Sequence, residues 1–396
     1  MLKLFFYLLF ITASTDGIMI FLPIIRPYIV VALIIALVIF FRLFFLNMKV
    51  RKLSLDEFFL IIFLLLLLVL SVFNFVGRTI NYLAAYFLVF IFLYILPKRA
   101  AENYRLYPAL MQANLIGVFF ICSISILEFF LFLIFGYNFQ SFIIEFRLGD
   151  TRGQALESIF NQKFKRSFAL SDEPTNLAFY LICLGPIAIF QSFKKYSKSF
   201  GFFIFCIVII SLAFTFSSSA ALIALSASVC TIFFMVIDQN VSNKPLKIFS
   251  ILTTISFSVI FYTIYNNDIG FLQKLNNISN SARFDSLIIA MRIFLENPFS
   301  GIGLGEISEN KMVIVSWYGM LLSETGILPF LILLAFYYSI IIKILSAKFV
   351  PGRYIYFFSF NAGVMYLATI AVFFVPALWL SLVIFHSSFS YHLIRR

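Results

Sequence analysis

Charge is what this chain has least of. Only 12% of its 396 residues are Asp, Glu, Lys or Arg, while 63% are hydrophobic and the mean hydropathy is +1.05. A soluble globular domain carries about 25% charged and about 45–50% apolar residues. The balance therefore excludes a soluble domain and indicates an integral membrane protein. Cysteine is also sparse. Cys122, Cys183, Cys206 and Cys230 all lie in apolar runs without C-x-x-C spacing, which argues against a disulfide framework or a thiolate metal site. The only histidines are His386 and His392, near the C-terminus, so no His-based metal site is expected. No Walker sequence is present, so no nucleotide site is expected. Neither a metal nor a cofactor is called for.

What the chain has is long apolar runs. About 20 residues at about 1.5 Å each cross a hydrocarbon core, and strict alternation of the kind a membrane β-barrel shows is missing. The fold class is therefore all-α: a polytopic membrane protein, one membrane domain over residues 1–396. About twelve spans are predicted, at roughly 4–22, 28–46, 58–76, 80–96, 109–135, 174–193, 200–216, 219–237, 248–266, 319–342, 355–374 and 376–391. The N-terminal MLKLFFYLLFITASTDG resembles a signal peptide, but no soluble domain follows it, and it is taken as an uncleaved first span. The 56 phenylalanines suit lipid-facing and packing roles.

The net charge of +12 would suggest nucleic acid in a soluble protein. Here the charges sit in loops, where topology explains them and an anionic substrate is a compatible second cause. No nucleic-acid partner is expected. KVRK (49–52), KR with Arg105 (98–105), KKYSK (194–198), KPLK (244–247) and KFVPGR (348–353) fall on every second loop. With Lys3, Arg395 and Arg396 they belong in the cytoplasm. The intervening short loops carry only Arg26 and Arg78. Both termini are then cytoplasmic, and two long segments, 136–173 and 267–318, are exoplasmic. Loops this long are uncommon unless functional.

The first long loop carries Arg147, Arg152, Lys163, Lys165 and Arg166, and the first four suit anionic lipid headgroups. Residues 154–166 have the makings of a short interfacial helix. In SDEPTNLAFYL, Ser171 or Asp172 is placed to cap the sixth span, with Pro174 in its first turn. The second loop becomes helical in SARFDSLIIAMRIFLEN. Phe284, Leu287, Ile288, Met291 and Leu295 have α spacing, and Asp285, Arg292 and Glu296 share a stripe. Arg283 lies nine residues before Arg292, about half a turn around the helix, so the two arginines are separate candidates. Asn297-Pro298 ends the helix.

GIGLGE follows, with Gly301, Gly303 and Gly305. Alternating glycines let backbone N–H groups approach an anion. Equally, they permit a tight re-entrant turn against a neighbouring helix. A dinucleotide fingerprint is ruled out because no strand precedes them. Elsewhere, Glu128 is an intramembrane carboxylate, which is functional by default. Trp317 and Tyr318 are expected to anchor a span at the interface, and SSSAALIAL (217–225) to mark close helix packing.

Arg283, ENPFSGIGLGE (296–306) and LLSETGILPF (321–330), in that order, together with KRSFALSDEPTNLAFYL (165–181), resemble the O-antigen polymerase and O-antigen ligase superfamily. The hydropathy layout fits over nearly the whole chain. The resemblance implies glycosyl transfer at the periplasmic face of a bacterial inner membrane, from a polyprenyl-diphosphate-linked glycan. Membrane lipid and a chain-length regulator protein are further candidate partners. By position, Arg166 and Arg283 match the arginines thought to hold the diphosphate. Arg292 and Gly303 fit an Arg-x10-Gly pattern, and Gly301 belongs to the same turn. The ligases carry a His before the Glu-x-Gly element. Here Val315, Ser316 and Trp317 stand there, which favours a polymerase.

The chemistry is consistent with these residue types. Arginine offers forked, permanent charge to a phosphate, and fixed cations stabilise the charge that grows on a leaving diphosphate. The acceptor hydroxyl calls for a general base, with Asp172, Glu173, Glu306 and Glu324 as candidates. Glu173 and Glu324 lie near predicted span starts, where they would also complement a helix dipole. The rivals are an O-antigen ligase and, from another class, a secondary transporter or flippase. Transport predicts midplane charges and an inverted repeat, and the sequence displays few of the former and no obvious repeat.

Overall fold

The computed structural model describes residues 2–13, 15, 26–45, 53–137, 166–171, 173–237, 280–310, 312, 314–370 and 375–394. Among them the regular structure is entirely helical: α1 (Leu2–Thr12), α2 (Pro27–Phe45), α3 (Leu55–Phe73), α4 (Thr79–Asn103, with a π-helical stretch at Leu88–Ile95), α5 (Tyr107–Phe135), α6 (Pro174–Lys195), α7 (Lys198–Phe214), α8 (Ser218–Ile237), α9 (Asn280–Glu296), α10 (Glu306–Glu309), α11 (Trp317–Thr325), α12 (Ile327–Ser346), α13 (Arg353–Leu367) and α14 (Pro376–Ile394). Six of them (α3, α4, α5, α6, α12 and α14) are long and apolar enough to cross a membrane. The expected span at 248–266 lies outside the described residues, as does the expected helix at 154–166 except for Arg166.

Helix ends fall where the sequence places breakers. Pro174 opens α6 and Gly136 closes α5 in a left-handed conformation. The span expected at 319–342 is broken by Gly326 into the short α11 and the longer α12. The span expected at 80–96 runs on through Lys98 and Arg99 to Asn103.

Helices α6 and α14 are buried along most of their length, whereas α3, α5 and α12 keep a flank exposed. The exposed flanks carry Leu65, Val72, Leu133 and Leu331, as expected where lipid is the solvent. Helix α3 packs on α12, α6 on α5, α7 and α13, and α14 on α4, α6 and α13. Helix α8 packs on α13, and Ala220, Ala224 and Ala227 are buried. Small side chains let two helices approach closely, which is the use expected for the Ser/Ala-rich stretch.

Candidate functional site at the glycine turn

Helix α9 stops at Glu296, before Asn297-Pro298. The chain then folds between α11 and the 74–79 connection joining α3 to α4. Gly301 has φ +65°, and a Cβ there would lie 2.2 Å from the Glu324 carbonyl carbon and oxygen. Gly303 has φ +116°, and its Cβ would meet Val76 Cγ2 at 2.8 Å and the Asn74 carbonyl oxygen at 2.9 Å. Only glycine fits such an approach in that conformation. The N–H groups are already engaged. Gly301 N–H donates to Asn297 O at 3.0 Å, Ile302 N–H to Ser323 O at 3.1 Å, and Gly303 N–H to Glu324 O at 3.0 Å. From the other side, Asn74 Nδ2 donates to the carbonyls of Ser300 and Gly301, each at 3.3 Å, and Thr79 Oγ1 donates to Leu304 O at 2.9 Å. Arg78 donates to Ser308 Oγ. The geometry is that of a tight turn against neighbouring backbone; these three N–H groups do not point at open space.

Glu324 locks the same turn. It lies in the last turn of α11, so it does not complement the start of its own helix as the sequence suggested. Its Oε1 accepts from Ile307 N–H at 3.2 Å, and Gly305 N–H also donates to the carboxylate. It thereby caps the N-terminal end of α10, the single turn that follows the glycines. The residue is 1% exposed, and Oε2 has no hydrogen-bond partner among the described residues. Burial pushes this carboxyl up to about 8; the Gly305 and Ile307 N–H groups oppose the rise, and the Glu306 carboxylate adds to it. Glu306 itself is half-buried and accepts from Asn310 Nδ2 at 2.7 Å.

Helix α9 forms where the apolar spacing predicts it, but it packs through other residues. Ser286 and Ala290 are buried, with Ala290 against Gly319 of α11, whereas Leu287, Ile288, Met291 and Leu295 are exposed. The small residues permit close approach. Between α9, α11 and the ends of α12 and α13 lies a cavity of about 510 Å³, its wall largely apolar and including Leu287, Met291, Leu322 and Phe330. Asp285, Arg292 and Glu296 are exposed, as are most residues of this helix from Asp285 on. Arg283 sits in the first turn of α9; its side chain lies outside the described residues.

Arg166 belongs to a second bracket. Its Nε donates to Thr215 O at 2.9 Å, at the end of α7. The guanidinium is half-buried. Burial lowers its pKa from the ordinary value, while Glu173 and the Tyr366 hydroxyl oxygen work against that. Glu173 is the exposed residue preceding α6 and accepts from Thr175 Oγ1 at 3.0 Å. Asp172 lies outside the described residues. Tyr366, whose hydroxyl donates to Thr175 O, lies in the last turn of α13, and Ala368 and Thr369 just past that helix line the cavity.

The structure thus brings Gly301, Gly303, Glu306 and Glu324 into one turn, and places Arg166 and Glu173 in the neighbouring bracket with Arg292 on the flank of α9. Sequence reasoning missed Asn74 and Thr79; an Arg in a connection otherwise poor in cations, Arg78, was the one available signal. Trp317 is a correction. It is fully buried and donates from Nε1 to Tyr86 Oη at 3.0 Å, so it is a core residue and not an interface anchor.

The opposite ends of α3, α4 and α12, joined by α14, hold a different assembly. Lys98, 1% exposed, pairs with Asp56 and lies 3.4 Å from Glu57. Arg99 grips Glu57 through Nε at 3.2 Å and Nη2 at 3.0 Å. Tyr94 donates to Asp56 Oδ2 at 2.6 Å and lies 2.9 Å from His386 Nε2, while Lys343 Nζ lies 2.8 Å from His386 Nδ1. An ammonium only donates, so Nδ1 accepts and the ring proton sits on Nε2, facing Tyr94. Among the described residues no group of three or more His, Cys, Asp and Glu side chains could hold a metal ion.

No known protein family matches the chain, and no curated protein matches it.

Proposed function

We propose that the chain is an O-antigen-type polysaccharide polymerase of a bacterial inner membrane. It spans the bilayer about twelve times with both termini in the cytoplasm, and it joins polyprenyl-diphosphate-linked repeat units at the periplasmic face. The observation that carries the proposal is the company the glycine turn keeps. A turn built to fixed shape follows α9, whose other residues wall a largely apolar cavity of about 510 Å³; Arg292 is exposed on the opposite face of the same helix and Arg166 is half-buried in its bracket. An apolar cavity suits the hydrocarbon end of such a ligand, and arginines suit its diphosphate. The family resemblance of the motifs supports the same ligand.

In this mechanism Arg166 holds the diphosphate together with either Arg283 or Arg292, which stand on opposite faces of α9 and remain separate candidates. As the glycosyl C1–O bond of the donor breaks, the bonding pair leaves with the lipid diphosphate, and the arginines stabilise that charge. Gly301 and Gly303 act through shape. Glu324, buried and protonated at neutral pH, holds the turn. Of the candidate carboxylates that are described, Glu306 and Glu173 are within reach of solvent and are the ones placed to take the proton of the acceptor hydroxyl. A polymerase is favoured over a ligase because Val315, Ser316 and Trp317 stand where the ligases carry a His before the Glu-x-Gly element.

The test is elongation by purified protein, supplied with lipid and its matching lipid-linked repeat units. Products longer than one repeat are expected. Absence of elongation, with transfer of finished polymer to a lipid A-core acceptor, would mean a ligase.

A further inference from the structure

Glu128 has so far been given no task. It lies in the last third of α5, 1% exposed, and one of its oxygens gathers three donors. Oε2 accepts from Ser167 Oγ at 2.8 Å, from Phe168 N–H at 2.9 Å and from Ala169 N–H at 2.7 Å. Two successive backbone N–H groups closing on one anion form a nest, and here the anion comes from the protein itself. Ala169 adopts φ +48° within this turn, a conformation a side-chain-bearing residue holds only when its surroundings fix it. Ser167 Oγ also lies 2.8 Å from Ser125 Oγ, and Ser167 N–H donates to Phe214 O at 2.9 Å. The segment is therefore clamped from α5 on one side and from the end of α7 on the other.

The residue next to this clamp is Arg166. Its own Nε bond runs to Thr215 O, one residue beyond the carbonyl that holds Ser167. Backbone direction at 166 is set by 167–169, and 167–169 are set by Glu128. A buried carboxylate needs donors to offset its desolvation, and a turn with a left-handed Ala needs an acceptor for its inward N–H groups. Each explains the other's presence, and the product of their pairing is a fixed exit direction for one guanidinium.

We propose that Glu128 is the positioning residue for Arg166, aiming its guanidinium at the diphosphate of the lipid-linked donor. This rests on the reading of Arg166 given under Proposed function. Glu128 does not touch the ligand; it acts through the 167–169 turn.

The test is a double-mutant cycle on the full-length protein in detergent, with geranylgeranyl diphosphate as the probe and geranylgeraniol as the uncharged control. Arg166→Ala is expected to weaken diphosphate binding at least tenfold and leave alcohol binding within twofold. Glu128→Gln should weaken diphosphate binding about fivefold or more, also sparing the alcohol. The double variant should bind no worse than Arg166→Ala alone, because the two act through one group. A merely structural role would lower both ligands alike and would add to the Arg166 effect; either result overturns the inference. If Glu128→Gln does not fold, Ser167→Ala removes one of the three donors and is expected to weaken diphosphate binding twofold to fivefold, again without adding to Arg166→Ala. Wild-type-like binding by a folded Glu128→Gln protein, with Arg166→Ala defective, overturns the inference while the site stands. Wild-type-like binding by Arg166→Ala overturns both.

Discussion

The two ends of helices α3, α4 and α12 are built on opposite principles. At one end, Asp56, Glu57, Lys98, Arg99, Tyr94, His386 and Lys343 close on one another, and a side-chain charge is met by a side-chain partner. At the other end, about 28 Å away along α3 by the rise of a helix, the contacts are backbone to backbone, glycine against carbonyl, with arginines left partly open to the surroundings. In that network the buried carboxylates and the Lys98 ammonium are engaged by one another. A turn held by its own backbone leaves nearby cations available. In the function proposed above, the first end fixes the bundle and the second carries the chemistry.

The largest effect is expected at the closed end. Asp56→Ala takes from buried Lys98 its closest partner, leaving it Glu57 at 3.4 Å and Ser54 Oγ at 2.7 Å, and takes from Tyr94 its acceptor; breaking a buried pair costs up to about 3–5 kcal/mol. A large drop in the thermal unfolding midpoint of the detergent-purified protein is expected, with diphosphate binding per folded molecule kept. An unchanged midpoint would show that the network does not hold the bundle.

Gly301→Ala comes next. The added methyl meets Glu324 backbone at 2.2 Å in a left-handed conformation, and overpacking of this kind costs about 1–3 kcal/mol. Elongation should fall at least tenfold, because the turn shifts away from α11. A variant with wild-type turnover would show that the shape of the turn is not needed.

Glu324→Gln sharpens the contrast through pH. The carboxyl is raised from an ordinary 4.5 to about 8 in the fold, so the unfolded chain releases this proton first. Its contribution to stability is fully present below about pH 4.5 and is lost as pH rises to about 8, with a slope of up to about 1.4 kcal/mol per pH unit from this one group. Gln imitates the protonated form, so the variant should lose that part of the slope. Identical pH profiles for the two proteins would contradict the assignment of Glu324 as a buried neutral lock.

The smallest effect on stability is expected from Arg292→Ala. The side chain is exposed, and such substitutions stay within about 0.5 kcal/mol. Diphosphate binding should nevertheless weaken several-fold, an imbalance that marks a binding residue and not a structural one.

The sequence made much of this architecture legible and left specific parts hidden. Composition alone identifies a helical membrane protein, because apolar runs of this length have one use. The 3.6-residue spacing and Asn297-Pro298 locate α9 and its end. What the spacing could not tell is which face of α9 packs: in a membrane the large apolar residues can face outward, and Ser286 and Ala290 make the contact. The glycines announced a close approach, but not that Asn74, Thr79 and Glu324 would supply the other side. Lys98 and Arg99 read as topology signals because their partners lie about forty residues away on another helix. Glu128 stood out as an intramembrane carboxylate, yet its three donors come from a segment forty residues further on.

The most direct test of the central claim is the glycan ladder on the core of a deletion strain complemented with wild type, Arg166→Ala, Arg283→Ala or Arg292→Ala, with membrane expression matched. The account predicts a full ladder for wild type and a single repeat unit on the core for at least one arginine variant. Long polymer left on its lipid carrier in the deletion strain, or ladders unchanged by all three substitutions, would contradict it.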